Sequence, residues 1–186
     1  AQQSIDMSNK LIVPIKFLMS HNIDKTQDNH KKSADIIMEY LRQGHDIAML
    51  NIGDISIYST CSYILNIIEK NGFETEICAG VPSFCAAAAR LKKPLVSRRE
   101  VLVVAPGYTD ELESLMSVNG TKVIMKSGKH MDRVKKLVEK SGMSDNAVIV
   151  ESCGLENERI QYGIDKTENG YFSLMIVKTP EENKNA

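Results

Sequence analysis

Between Asp46 and Arg90 the chain runs one pattern twice: a short strand candidate, a glycine, then helical spacing. The first copy is Ile47-Ala48-Met49-Leu50, which breaks at Gly53-Asp54 and turns helical after Ser59-Thr60. The second is Glu74 to Cys78, which passes through Ala79-Gly80-Val81-Pro82-Ser83 into four alanines and Arg90. Short apolar runs bounded by turn residues read as buried strands. Two strand–turn–helix units in tandem predict an open α/β sheet, and such sheets take ligands beyond the C-terminal ends of their strands. Glycine at each turn lets a ligand approach the backbone. One Gly-Asp pair after a strand is an ordinary turn; its repetition makes a ligand cleft the stronger reading. Asp54 offers an acceptor for an amine or a sugar hydroxyl, and Ser83 stands where it can cap the alanine helix. The thin alanine face lets another backbone, or something flat, lie close.

The rest of the chain fits the same class. Leu11 to Met19 reads as extended, with Pro14 arguing for an edge position. Ala34, Ile37, Met38 and Leu41 share one face of a helix over about 28–42, which Gly44 ends. Ile64, Ile67 and Ile68 line a second helix that stops at Gly72, and Lys92-Lys93-Pro94 ends the alanine helix. After a charged linker, Leu95 to Arg99, the α/β pattern starts again. Strands are predicted at 101–104, 122–125, 147–150 and 171–177. Helices carry Leu112, Leu115 and Met116, then Met131, Val134, Leu137 and Val138. The expected division is an N-terminal α/β domain over 1–98 and a C-terminal one over 99–186. Crossover helices predict largely parallel pairing in the first.

Composition narrows the function classes. A formal charge of -1 over 186 residues gives no overall attraction to nucleic acid or membrane. No apolar run approaches the roughly 20 residues of a membrane helix, and no signal peptide is visible. Cys61, Cys78, Cys85 and Cys153 form no CxxC pair and read as reduced core thiols of a cytoplasmic protein. His21, His30 and His45 read as surface residues, with His130 set apart in a basic cluster, and no metal-spaced cluster, Ser/His/Asp set or nucleotide-type phosphate loop is present.

At the two turns a resemblance becomes specific. The segments GDISIYSTCSY and AGVPSFCAAAAR resemble the GDPSxYSTxSY and PGxPSFxAAAAR motifs of the tetrapyrrole (corrin and porphyrin) methyltransferases, and ESCGLENERI and GYFSLMIVK extend the likeness over nearly the whole chain. The likeness is greatest to the branch that methylates C20 of precorrin-2. It implies two α/β domains with a ligand cleft between them, usually in a homodimer. It also implies S-adenosylmethionine as methyl donor and precorrin-2, or its cobalt form cobalt-factor II, as acceptor. By resemblance the donor contacts fall on Gly53, Asp54, Ile57, Tyr58, Pro82, Ser83, Met125, Gly154 and Tyr171. The acceptor bears eight carboxylates, which calls for basic residues; Arg90, Lys126 and Lys129 are the candidates, and no general base is named.

Three departures stand beside the likeness. Family members open with a strand and a GxGPGD loop that this sequence does not show, and Ile55 and Ala79 stand where the family has proline. Two alternatives therefore stay open: a relative that binds donor or tetrapyrrole without turnover, and a methyltransferase for another precorrin.

Overall fold

The computed structural model describes residues 6–17, 23–165, 170 and 172–180. The chain forms two compact units, Ala1–Pro82 and Ser83–Ala186. The division expected at 98/99 falls inside the second.

In the first unit two helices make the core. Helix α1 spans Ile23–Arg42, beginning earlier than predicted, with Asp24 in its first turn where the helix dipole favours an acid. Helix α2 spans Cys61–Lys70. Ala34, Ile37 and Met38 of α1 pack with Ile64 and Ile68 of α2, and Ile15, Met49 and Phe73 flank them. Gly44 and Gly72 end the helices in the left-handed conformation, as predicted. The predicted strands are not there. Residues 45–51 and 73–82 carry no ladder, and neither do the described residues of Leu11–Met19. Leu50 is 65% exposed and Ile52 84%. An apolar run becomes a strand only beside a hydrogen-bonding neighbour, and among the described residues of this unit none pairs with these segments. The parallel pairing expected here is therefore not observed.

The second unit opens with helix α3, Ser83–Leu91, and then builds one five-stranded sheet. Strands β1 (Val101–Pro106) and β2 (Gly120–Met125) are parallel, joined through α4 (Leu112–Met116). Helix α5 (Met131–Lys140) leads to β3 (Ala147–Glu151), β4 (Arg159–Tyr162) and β5 (Ser173–Lys178). The order across the sheet is β1-β2-β5-β3-β4. Strand β5 runs antiparallel to both β2 and β3, so β1, β2 and β3 all point the same way. Their C-terminal ends, Pro106, Met125 and Glu151, lie at one end of the sheet. Leu112, Met116, Val134 and Val138 of the helices pack on Ile124, Ile149, Met175 and Val177 of the strands. The central strands β2 and β5 are buried almost throughout, as strands covered on both faces are. Strand β4 was not predicted, because Arg-Ile-Gln-Tyr at a sheet edge lacks an apolar run.

Two residue classes differ from expectation. His30 is only 8% exposed, and its ring stacks 5.2 Å from that of Tyr63 on α2. His21 lies outside the described residues. Only Cys61 is a core thiol. Cys78 and Cys85 are exposed and Cys153 is half-buried, all of them free; the strand that would have buried Cys78 did not form.

Candidate functional site

In the first unit the site is a pair of turns locked together by one carboxylate. Asp54 Oδ1 accepts hydrogen bonds from the Ser56 amide at 2.8 Å and the Ser56 hydroxyl at 2.5 Å. Oδ2 accepts from the Gly80 amide at 2.8 Å. These bonds favour the ionised form: the Ser56 hydroxyl, then the Ser56 and Gly80 amides, hold the Asp54 carboxyl below its ordinary value of 3.8. The turns touch so closely that a Cβ on Gly80 would sit 2.1 Å from the Gly53 carbonyl oxygen. Gly53 itself has φ +90, a conformation open to glycine at little cost, and its Cα face is clear except for ordinary contact with the Val81 carbonyl. Ile57 closes the turn on the Asp54 carbonyl, and Tyr58 follows with φ 49. A non-glycine residue held left-handed stores backbone strain, which is common at ligand sites. Pro82 ends the segment, and Ser83 is the first residue of α3.

In the second unit the sheet gathers the remaining described candidates at the C-terminal ends of its parallel-running strands. Met125 ends β2, half-buried, and its carbonyl accepts the Gly107 amide at 2.7 Å. Lys126 follows with φ 54, and both it and Lys129 are exposed. Between them Ser127 is fully buried and its hydroxyl has no hydrogen-bond partner. A Cβ on Gly107 would come within 2.8 Å of that oxygen, so the Gly107 and Ser127 turns fit only without one. The Tyr108 and His130 rings sit 6.2 Å apart beside them. After β3, Ser152 (φ 50) and Gly154 (φ 78) make a second left-handed turn. The Gly154 amide donates to Glu158 Oε2 at 2.8 Å, and Arg90 Nε donates to Glu158 Oε1 at 2.5 Å. Arg90, expected on the acceptor, is thus paired within its own unit. Tyr171 lies outside the described residues. A cavity of about 580 Å³ opens at the opposite end of the sheet, beside Thr179 and Met143, and none of the candidates lines it. Among the described residues no cluster of His, Cys, Asp or Glu could hold a metal, and no helix is long and apolar enough to cross a membrane.

Residues 2–163 match the model of the tetrapyrrole (corrin/porphyrin) methylases. The chain belongs to that family. It is 32% identical over 165 residues to a probable cobalt-precorrin-2 C(20)-methyltransferase of Methanocaldococcus jannaschii, covering 83% of this chain and 68% of that protein. It is 29% identical over 177 residues to a precorrin-2 C(20)-methyltransferase of Sinorhizobium, covering 89% and 72%. Among solved structures, the uroporphyrin-III C-methyltransferase of Thermus thermophilus with S-adenosylhomocysteine superposes with a TM-score of 0.66 at 19% identity, covering 80% and 72%. That likeness is one of α/β fold.

Within this methylase, sequence reasoning named the turns but missed what holds them. Ser56 and Gly80 lock Asp54, and Glu158 locks Gly154. All three residues stand inside the quoted motifs, and no spacing rule marks them, because apart from the Ser56 hydroxyl each bond joins a side chain to a backbone amide. Ser127 was missed too: a serine between two lysines reads as surface.

Proposed function

We propose that this methylase transfers a methyl group from S-adenosylmethionine to C20 of precorrin-2 or of its cobalt form. The observation that carries the proposal is the likeness to two C20-methyltransferases, which extends over more than four-fifths of the chain. S-adenosylmethionine supplies a methyl group on a sulfonium, which leaves its electrons with sulfur as a neutral thioether. Rate then depends on holding the two reactants in line, and proximity of this kind is worth on the order of 7–11 kcal/mol at best.

The residues present suit that donor. The Cα face of Gly154 is open and that of Gly53 meets only ordinary contact with the Val81 carbonyl, which suits close approach by a flat or extended molecule. Asp54 keeps the first turn in shape, and as a carboxylate it suits a cationic donor. The Met125 thioether is a soft, adaptable surface for an adenine ring. Ile57, Tyr58, Pro82, Ser83 and Tyr171 complete the proposed donor set. Lys126 and Lys129, exposed at the end of β2, are the proposed grips for acceptor carboxylates.

In this proposal the protein acts as a cytoplasmic homodimer. Exposed Leu11, Ile12, Leu50, Ile52 and Val81 provide the apolar surface a partner copy would cover. The test is turnover. The protein is incubated with S-adenosylmethionine and precorrin-2, and the product is weighed and its new methyl located by carbon resonance. A single added methyl at C20 supports the proposal. Methylation at another carbon moves the enzyme to a different precorrin step. A folded protein that binds the donor without turnover leaves it a binding relative.

A further inference from the structure

Glu158 sits at the centre of a small network in the second unit. Its side chain is 12% exposed, against 62% for its partner Arg90. One oxygen takes the Gly154 amide and the other takes Arg90 Nε. The Cys153 thiol lies beside it, and burial first and the Glu158 charge second push that thiol above its ordinary value. The turn it spans is closed by Leu155 on the Ser152 carbonyl and by Glu158 on the Leu155 carbonyl. Ser152 is held left-handed with its amide on the Phe172 carbonyl, and the Glu158 carboxylate fixes the Gly154 end of the turn. Pointing the Gly154 amide at Glu158 leaves its Cα face bare, with nothing within 4 Å of where a Cβ would be. Arg90 closes the α3 helix, so the same carboxylate ties that helix to the turn after β3.

We infer that Glu158 is the positioning residue of the Ser152–Leu155 turn, with Arg90 as its counter-ion. Arg90 therefore serves donor binding through the turn and does not grip acceptor carboxylates. This rests on the donor-site reading above. Glu158 carries the larger share, because its bond to Gly154 is charge-assisted and acts on the turn directly, whereas an exposed ion pair is weak on its own.

The experiment titrates S-adenosylhomocysteine, and separately uroporphyrin III as a stable tetrapyrrole carboxylate, into wild type, E158Q, R90A, R90K and the E158Q/R90A double variant. E158Q should weaken S-adenosylhomocysteine by roughly tenfold, the scale of one hydrogen bond to a charged group. R90A should weaken it by about threefold and R90K should restore it, as expected of an exposed pair. The double variant should be no worse than E158Q, because Arg90 acts through Glu158. Uroporphyrin III affinity should stay unchanged throughout. Unaltered donor binding in E158Q, or an R90A that loses uroporphyrin III and keeps the donor, overturns the inference alone. A folded wild type that binds no S-adenosylhomocysteine overturns the donor reading and the inference together. R90A changes an exposed side chain, so it reports even where E158Q disturbs folding.

Discussion

Ile47–Leu50 and Val101–Val104 are the same kind of sequence, four apolar residues leading toward a glycine turn, and they end differently. The second is strand β1, paired residue by residue with β2. The first has no ladder, and Leu50 stands out in solvent. Composition does not separate them; a neighbour does. Strand β1 is followed through α4 by β2, which supplies a row of donors and acceptors. Residues 45–51 and 73–82 carry no ladder, and a hydrogen bond from the Gly80 amide to Asp54 joins the turns beside them. The second unit is a scaffold held by its sheet, and the first presents two turns held by one carboxylate.

The comparison is broken most easily at glycine. Gly120 has φ +131, and a Cβ there would lie 2.2 Å from the Val101 carbonyl oxygen. Gly120→Ala should cost the second unit about 4 kcal/mol or more, read as a fall in its denaturation midpoint. Gly80→Ala meets an equally close carbonyl, that of Gly53. It should abolish S-adenosylhomocysteine binding yet leave the sheet's amide protection intact. Loss of the sheet in Gly80→Ala would show that the two regions do not stand apart as described.

A smaller effect tests the sheet's interior. Lys122 on β2 is 2% exposed, and its ammonium has a carbonyl, the Thr179 hydroxyl and the Met143 thioether for company. Burial pushes its pKa below the ordinary 10.5. The folded state therefore releases this proton before the unfolded state does. Its penalty is present at neutral pH, and stability should recover as pH rises from the depressed folded value toward 10.5. Lys122→Met should be neutral or stabilising by about 1 kcal/mol and should flatten that alkaline rise. A loss of several kcal/mol would mean the ammonium's three contacts outweigh its desolvation.

The smallest effect concerns the clamp in acid. Because Asp54 is ionised to below its ordinary 3.8, its contribution is complete above that value and is lost as pH falls through the lower folded value. Donor affinity should therefore stay level down to about pH 4 as far as this group decides it. Asp54→Ala should remove the acid-side fall. A midpoint well above 4 that survives Asp54→Ala would assign it to another group.

Helices and the four apolar strands of the sheet were legible because their signals are local. Ile64 and Ile68 keep helical spacing, and Lys122 to Met125 keep a strand's length and bounds. The family motifs located the turns. What the sequence did not reveal depends on pairing at a distance. Whether Ile47 to Leu50 forms a strand depends on a neighbour, His30 is buried where it stacks on Tyr63 from another helix, and Glu158 and Asp54 act on amides that any residue carries. Side-chain type says what a residue can bond, and only the fold says which amide stands opposite.

Amide hydrogen exchange, read residue by residue with and without S-adenosylhomocysteine, tests the central contrast most directly. In the free protein the amides of β2, β3 and β5 should exchange only through rare openings, slower by about 10³ or more than those of 46–52 and 74–79. Adding S-adenosylhomocysteine should slow exchange at Gly53 to Tyr58, at Gly80 and around Gly154, and leave the sheet unchanged. Equal protection of the two regions in the free protein, or a ligand response confined to the cavity beside Thr179, would contradict the account.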